Sequence, residues 1–415
     1  MVFGFGSSKT SSKVEENKSK KNDAVDKPGF WTTPGAVALI TGSSGFCGAR
    51  LAEMLLERGA KTVICFDIVK PSEKLMERLD ACQAANPTGK FIFCNGPMDG
   101  DLTSKDAVEK AFGSVEQLDV VYHVGALVGP FHEKDMYFKV NVEGTKNILD
   151  ACRKYSVPTL VNSSSPSTRF HGGDVQGKRE DELDFPRKYT ALYAETKAEA
   201  ERLVTSACSQ SLRTINVAPH QVYGPYDELF LPSLLSTMGN GRLRIFGKGD
   251  KKIDVCFVDN YCHGLLCGAD EIILNKESPA LGKFYIITDC EPQNFWDLVN
   301  KAGMEMGFKD LHSKFHLPIV LLYFVAYLCG IYTFFSGRKT KLIPFTVRML
   351  TIHRYFDPSL SKQHLKYEPL YKFDDCWKLT ITWFKKNWLP GYCAHFNHPL
   401  PPSEDGKSEK DEKQD

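Results

Sequence analysis

Apolar positions along the chain fall into two rhythms. Short runs of aliphatic and β-branched residues predict strands buried on both faces. Stretches with apolar residues three and four apart, the period of a helix lying on a core, lie between them. The first run (Val37, Leu39, Ile40) leads through three glycines, Gly42, Gly45 and Gly48, into an apolar-periodic helix to about Arg58. KTVICFDIVK is a second strand, ending at Asp67; Lys90–Cys94 is a third, and Leu118–Gly129 (LDVVYHVGALVG) a fourth, nearly all apolar. FKVNVEGTKNILDACRKY is helical by the spacing of Val140, Ile148, Leu149 and Cys152, and VPTLVNSSSPSTRF is a strand tipped with three serines. About thirty residues later YTALYAETKAEAERL is helical again. Strands alternating with helices predict an α/β fold: a Rossmann-type, doubly wound parallel sheet.

Composition narrows the class. Residues 1–30 and the stretch from about Pro401 are charged and poor in apolar residues, so they cannot bury enough surface to offset ordering and are expected to be tails. The 415 residues between and including them suit a large α/β domain with a smaller lobe, and a formal charge of +1 gives no sign of a nucleic-acid partner. Thirteen cysteines occur without a C-x-x-C pair or a Cys/His cluster, which indicates neither a zinc site nor a disulfide framework, but reduced thiols facing the cytosol. The apolar start (Val2, Phe3, Phe5) is too short for a signal-peptide core. The sequons at Asn17 and Asn162 are then chance matches, and Asn162 falls in a core strand.

The glycines give the first chemistry. A strand, a G-x-x-G-x-x-G turn and a helix in that order aim unpaired N–H groups and a helix dipole at one point, a seat for a pyrophosphate. Asp67, at the end of the next strand, can accept from both hydroxyls of an adenosine ribose and would repel a 2′-phosphate, which favours NAD over NADP. Lys70 nearby weakens that preference. Asp101 and Leu102 occupy a strand-to-helix loop suited to adenine contact, with Thr103 or Ser104 as N-cap; capping is the equal alternative for this loop. Gly125 and Ala126 would let the cofactor pass close to a strand end. His123, inside an apolar run, reads as a satisfied core histidine, and Asn141 as a tether between strand and helix.

Tyr193 and Lys197 lie four apart on a helix and share a face. An ammonium beside a phenol favours the phenolate and lowers its pKa towards that of a useful base. A serine on the neighbouring strand tip can bond the same substrate oxygen. Such a trio can take a proton from an alcohol as hydride leaves its carbon.

Taken together, TGSSGFCG, FDI, GDL, VVYHVGA, VNVEGTKN, SSS, YAETK and PHQVYGP resemble the extended short-chain dehydrogenase/reductase superfamily over about residues 35–390. The blocks NSSSPSTRF, PHQVYGPYD, FYIITDCEPQNFWDL and TVRMLTIHRYFDPSLSKQHLKYEP narrow the resemblance to the 3β-hydroxysteroid dehydrogenase family, closest to its sterol-4α-carboxylate 3-dehydrogenase (decarboxylating) group. That resemblance implies Tyr193 as base, Lys197 as its electrostatic partner and ribose ligand, and Ser165 as the hydroxyl orienting the sterol oxygen, with Ser164 the adjacent contender. It implies cofactor contacts from Gly42, Gly45, Phe46, Gly48, Asp67, Asp101, Leu102, Tyr193 and Lys197, and no metal. The implied reaction is NAD-dependent oxidation of a 3β-hydroxyl with loss of the carbon-4 carboxylate. A 3β-hydroxy-Δ5-steroid dehydrogenase/isomerase is the alternative within the family, and a non-catalytic NAD-binding membrane scaffold the alternative outside it. The implied partners are a sterol or steroid, the membrane surface, other sterol C-4 demethylation enzymes and a second copy of the chain. The implied address is the cytosolic face of the endoplasmic reticulum membrane, or lipid droplets. The chain departs from the family at Ala218, where Arg is usual, at Gly125, where Ala is usual, and in a longer segment between Asp67 and Asp101.

The expected organisation is a tail (1–30), the NAD-binding domain (31–220), a substrate lobe (221–315 and 338–400), a hydrophobic segment (316–337) and a charged tail (401–415). The lobe reads as a helix, a Gly-rich hairpin and a strand-to-helix unit around Asp259 and Asn260, with Asp259 as an N-cap. Leu317–Phe335 carries no charged side chain and is about the ~20 residues needed to cross a bilayer. Pro318 suits its start, and Arg338, Lys339 and Lys341 follow as an interfacial anchor. Membrane contact is preferred to a buried core helix. Because KYEPLYKFDDCWKLTITWF resembles the closing helix of the same fold, a monotopic or hairpin-like insertion is expected rather than a span.

Overall fold

The computed structural model describes residues 32–129, 132–336, 340 and 342–396. The expected tails, 1–30 and 401–415, and Arg338, Lys339 and Lys341 lie outside the described residues.

The first half builds as its pattern predicts. β1 (Val37–Thr41) enters the glycine turn and α1 (Phe46–Glu57); β2 (Thr62–Asp67), α2 (Glu73–Ala85) and β3 (Lys90–Asn95) follow. After α3 (Lys105–Phe112) come β4 (Val120–His123), α4 (Gly144–Lys154), β5 (Thr159–Ser163) and a short β6 (Val175–Lys178). α5 (Leu192–Ser206), β7 (Arg213–Pro219) and β8 (Val222–Tyr223) complete this half. Beyond them lie α6 (Phe230–Gly239), β9 (Lys252–Ile253), β10 (Cys256–Phe257), α7 (Val258–Leu274), β11 (Phe284–Ile287), β12 (Gln293–Asn294) and α8 (Phe295–Glu305). Then come α9 (Ile319–Ser336), α10 (Pro344–Met349), β13 (Arg354–Phe356), α11 (Ser359–Leu365), α12 (Phe373–Asn387) and α13 (Leu389–Phe396).

The main sheet has seven parallel strands in the order β11-β7-β5-β4-β1-β2-β3. Its order reverses between β1 and β4, the crevice where open α/β sheets take ligands. β4 is shorter than expected: only Val120–His123 is strand, and 124–129 forms a loop that turns across the sheet's carboxyl edge at Gly125. The helix expected over FKVNVEGTKNILDACRKY opens with a π turn, Phe138–Glu143, before α4. Ser104 caps α3 by accepting from the Ala107 N–H at 3.2 Å.

The second half differs more. The seventh strand, β11, and α7 come from the stretch expected to form the substrate lobe, yet they extend the main sheet and its core. No hairpin forms after α6. Instead β9 pairs antiparallel with β12 and parallel with β13, which also pairs with β6, giving a second small sheet from four distant segments. Asp259 is not a cap: it sits in the first turn of α7, whose N-cap is Phe257, and its carboxylate takes Arg50 Nε at 2.8 Å. Asn162 is fully buried in β5, where its side chain donates to Asn216 at 2.8 Å.

α12 closes the core as its pattern predicts, burying Phe373, Cys376, Trp377, Thr380, Ile381 and Phe384 on one face. Trp377 packs against Tyr223, with ring centroids 5.5 Å apart. The less favoured alternative of a buried core helix does not hold for α9, since only Leu322 and Ala326 are buried, while Phe334 and Phe335 are each 82% exposed. Both ends of α9 return to the same body. Leu317 bonds Ile245 and Gly247 through its backbone before the helix, and β13 pairs with β6 after it.

Candidate active site

The three serines leaving β5 have separate fates. Ser163 Oγ accepts from the Tyr261 hydroxyl at 2.7 Å, and Ser164 Oγ donates to Glu201 Oε2 at 2.8 Å. Ser165 is extended and caps a short 3₁₀ turn, Pro166–Arg169, its Oγ lying 2.9 Å from Ser167 Oγ. Of the three, Ser165 is the one whose hydroxyl acts on the phenol of Tyr193, lowering its pKa against the effect of burial. Ser164, the contender, is committed to the carboxylate behind it.

Tyr193 and Lys197 stand one turn apart on α5, Tyr193 half-buried and Lys197 buried. The Lys197 ammonium donates to the Ser163 carbonyl. Burial pulls its pKa down to about 8 against the charge of Glu201. The Tyr193 phenol is pushed up to about 12 by burial, partly offset by the Ser165 bond, with Tyr137 and Cys47 adding to the rise. The expected lowering of the phenol by Lys197 is therefore not present in this arrangement. The ammonium is spent on a carbonyl, and desolvation of the phenolate dominates.

Behind this trio lies a group that sequence reasoning missed. Glu201 is one turn beyond Lys197 and pairs with the buried Arg169, which also stacks on Phe185 at 3.8 Å and on Phe284 at 4.3 Å. The i, i+4 continuation from Tyr193 to Lys197 to Glu201 is the signal that could have found it. Asn141 is the tether expected: its amide donates to Leu127 O at 3.2 Å and to Thr196 Oγ1 at 3.1 Å, and its carbonyl takes the Leu127 N–H at 2.8 Å. His123 is likewise a satisfied core residue, 2.9 Å from Thr41 Oγ1 and 3.0 Å from Thr145 Oγ1, with burial holding its pKa down to about 3.

The nucleotide cradle is shaped by close approach. Gly42 has φ +73°, and a Cβ there would meet Gly125 Cα at 2.7 Å. A Cβ on Gly48 would stand 2.1 Å from the Gly42 carbonyl oxygen. Gly45 is the N-cap of α1, Phe46 its first residue. The Asp67 carboxylate sits against the turn, taking the N–H of Ser44 at 2.9 Å and of Val69 at 2.8 Å; burial nevertheless moves its pKa up. Leu102 lies against Gly125 and Gly144 in the crevice, with its carbonyl taking Asn147 Nδ2 at 2.9 Å. Asp101 makes the capping-type bond, its Oδ1 accepting from the Thr103 N–H at 2.8 Å. Lys70 lies beside Gly96 on the same edge. Ala218 is fully buried among Phe170, Val175, Phe284, Ile286 and Phe356. The residues present fit a dinucleotide: a glycine-lined turn at a helix N-terminus, with a carboxylate at the end of the next strand.

A phosphate-seating turn and a Tyr-x-x-x-Lys helix facing a serine-tipped strand, all on one carboxyl edge of a parallel sheet, define a Rossmann-type dehydrogenase of the short-chain kind. The family model of the 3-beta hydroxysteroid dehydrogenase/isomerase family matches residues 39–319, and the chain belongs to that family. Among curated relatives, the sterol-4-alpha-carboxylate 3-dehydrogenase erg26, decarboxylating, of Schizosaccharomyces pombe is 30% identical over 352 residues, 83% of this chain and 96% of the relative. A 2-alkyl-3-oxoalkanoate reductase of Stenotrophomonas maltophilia is 33% identical over 272 residues, 65% of this chain and 75% of the relative. Among solved structures, the dTDP-glucose 4,6-dehydratase DesIV double mutant of Streptomyces venezuelae, with NAD and DAU bound, superposes with a TM-score of 0.63 at 18% identity, covering 86% of this chain and 99% of that one. The fold is shared with it.

Proposed function

We propose that this protein oxidises the 3β-hydroxyl of a 4α-carboxysterol to the 3-ketone, with NAD as oxidant, and that the carbon-4 carboxylate then leaves as carbon dioxide. The observation that carries the reading is the docking of the helix that bears Tyr193 and Lys197 against the serine-tipped strand, the Lys197 ammonium donating to the Ser163 carbonyl two residues before Ser165, on the same sheet edge as the glycine turn. Ser165 holds the substrate oxygen, Tyr193 takes the hydroxyl proton, and Lys197 keeps positive charge beside them. Gly42, Gly45, Phe46, Gly48, Asp67, Asp101 and Leu102 hold the cofactor, which when bound supplies the hydride acceptor. Oxidation removes one hydride and one proton from the carbinol. In the β-keto acid so formed, the bond from carbon 4 to the carboxylate breaks, its electron pair passes into the ring enolate, and carbon 4 takes one proton. No separate decarboxylating residue is needed.

The names of the two relatives support the same chemistry, since both put a carboxylate on the carbon next to the one oxidised or reduced. The family description, which includes isomerases, favours as a second reading a 3β-hydroxy-Δ5-steroid dehydrogenase/isomerase using the same trio. We place the enzyme on the cytosolic face of the endoplasmic reticulum membrane or on lipid droplets, held by α9 as a monotopic anchor. Full-length protein in detergent, given NAD and a 4α-carboxysterol, is expected to produce NADH, 3-ketosterol and carbon dioxide together, and Tyr193→Phe to abolish all three. NADH formed only from 3β-hydroxy-Δ5 steroids would move the assignment to the second reading. NAD binding without turnover of either would point to a non-catalytic scaffold.

A further inference from the structure

Arg354 opens β13, in register with Val175 of β6 and Ile253 of β9. Its residue is 6% exposed. Buried arginines ordinarily face a carboxylate, because a lone buried charge is far costlier than a paired one. Arg169 follows that rule through Glu201, and the half-buried Arg50 through Asp259. Arg354 does not: among the described residues the polar contact of its guanidinium is Nη1 to His220 Nε2 at 3.4 Å, and its Nε is buried without a partner.

The groups around it are no substitute for an anion. His220 Nδ1 donates to the Asp254 carbonyl at 2.6 Å, which leaves Nε2 as an acceptor for Arg354. Burial and the guanidinium hold that histidine's pKa down to about 3, so it is neutral. The Asp254 side chain takes the Phe356 N–H at 2.8 Å rather than the guanidinium. Phe170 and Phe356 set their rings edge-on to His220, at centroid distances of 6.3 and 5.5 Å.

This guanidinium is linked through His220 to the strand ends of the candidate active site. The tips of β5 and β7 are neighbours, with the Ser164 N–H donating to Val217 O at 2.8 Å. Ser165 leaves the first tip, and His220, the contact of Arg354, leaves the second. Phe170, which packs on His220, directly follows the 3₁₀ turn that Ser165 caps. The small sheet carrying Arg354 and Phe356 thus packs, through His220, on the strand tips from which Ser165 leaves.

We propose that Arg354 is the anion receptor of this site, its unpartnered edge taking the carboxylate that a β-hydroxy acid substrate carries on the carbon next to the carbinol. The assignment rests on the functional reading above and adds the residue that separates carboxylated from plain 3β-hydroxysterols. In such a substrate the carboxylate oxygens lie within a few ångströms of the hydroxyl, so their receptor has to stand beside Ser165. A planar, always-charged fork suits them better than any other side chain.

The test is the ratio of kcat/KM for a 4α-carboxysterol to kcat/KM for the same 3β-hydroxysterol without the carboxylate, each followed as NADH. It is measured on full-length wild type, Arg354→Met and Arg354→Lys, with NAD binding confirming that each variant is folded. Arg354→Met is expected to lower the ratio about 100-fold, the size expected for a lost buried charge contact, and Arg354→Lys to recover part of it. A purely structural role would lower both substrates together and leave the ratio unchanged, which would overturn the assignment, as would a ratio unchanged at full activity. A wild-type enzyme that oxidises only the uncarboxylated sterol would instead sink the functional reading itself.

Discussion

The Ser164 hydroxyl donates to Glu201 Oε2 at 2.8 Å, and the same carboxylate takes Thr168 Oγ1 and both terminal nitrogens of Arg169. One buried acid thus fixes the serine run, the 3₁₀ turn behind it and the helix that carries Tyr193 and Lys197. Neighbouring serines are thereby divided into Ser164, bonded into the scaffold, and Ser165, which caps the 3₁₀ turn and to which the proposed function gives the substrate oxygen.

Ser164→Ala and Ser165→Ala should therefore fail differently. Removing Ser165 takes a donor from the reacting oxygen, and kcat should fall about 10²- to 10³-fold with stability kept, the usual cost of one such donor. Removing Ser164 leaves a buried carboxylate short of one hydrogen bond, a loss of about 1–3 kcal/mol in unfolding free energy, with a smaller effect on kcat. Urea unfolding and steady-state kinetics on both variants check this. Equal kinetic losses would remove the distinction.

Glu201→Gln strands the guanidinium of Arg169, 6% exposed, without a counter-charge. Breaking a buried pair from one side costs about 3–5 kcal/mol. The variant should lose stability on that scale, and Arg169→Leu combined with Glu201→Gln should cost less than the sum of the two single changes. The substitution also removes the charge that raises the Lys197 pKa, so the basic limb of the kcat profile should move to lower pH. A variant as stable as wild type, with an unmoved profile, would contradict the network.

His123 gives a pH signature of its own. Its folded pKa is held down to about 3 by burial, against an ordinary value of 6.5. Between those values the unfolded chain binds a proton that the folded protein does not, so this residue's contribution to stability falls as pH drops from 6.5 towards 3. The slope is about 1.4 kcal/mol per pH unit for one proton. His123→Gln, which keeps a donor and an acceptor for Thr41 and Thr145, removes this term. The stability difference between wild type and variant, measured by urea unfolding at pH 7 and pH 5.5, should therefore move in favour of the variant on acidification. No change would mean that the imidazole is protonated in place.

Much of the site was legible because its signals are local. The glycine turn, Asp67 closing the next strand, and Tyr193 with Lys197 each depend on spacings of a few residues, and the structure keeps them where the pattern put them. Ser165 could be named but not separated from Ser164, since the choice is made by Glu201 from another element. The small sheet was illegible for a related reason. Its strands, β6, β9, β12 and β13, are two to four residues long, too short to show a period of two, and come from segments separated by as many as 179 residues. The contact of Arg354 with His220 exists only because that sheet forms. The Gly-rich stretch after α6 misled for the converse reason: its composition matches a hairpin, but tertiary pairing with β12 and β13 wins.

α9 presents an apolar surface that nothing among the described residues covers. Val320, Phe324, Tyr327, Phe334 and Phe335 are all more than 60% exposed, while Leu322 and Ala326 rest on Val347 of α10. With both ends of the helix tied to one body, a crossing would have to pull β13 off β6 or Leu317 off its bonds to Ile245 and Gly247. Lying flat with one face in lipid requires neither. Each fully buried phenylalanine contributes about 1.5–3 kcal/mol, so Phe334→Glu with Phe335→Glu should weaken partitioning onto phosphatidylcholine vesicles by at least about 100-fold. Soluble NAD binding should stay intact. In sealed microsomes, protease sites inserted into the N- and C-terminal tails should be cut from the outside together. Protection of one tail but not the other would mean that α9 spans the bilayer and that the contacts on its two sides are not made in the membrane-bound protein.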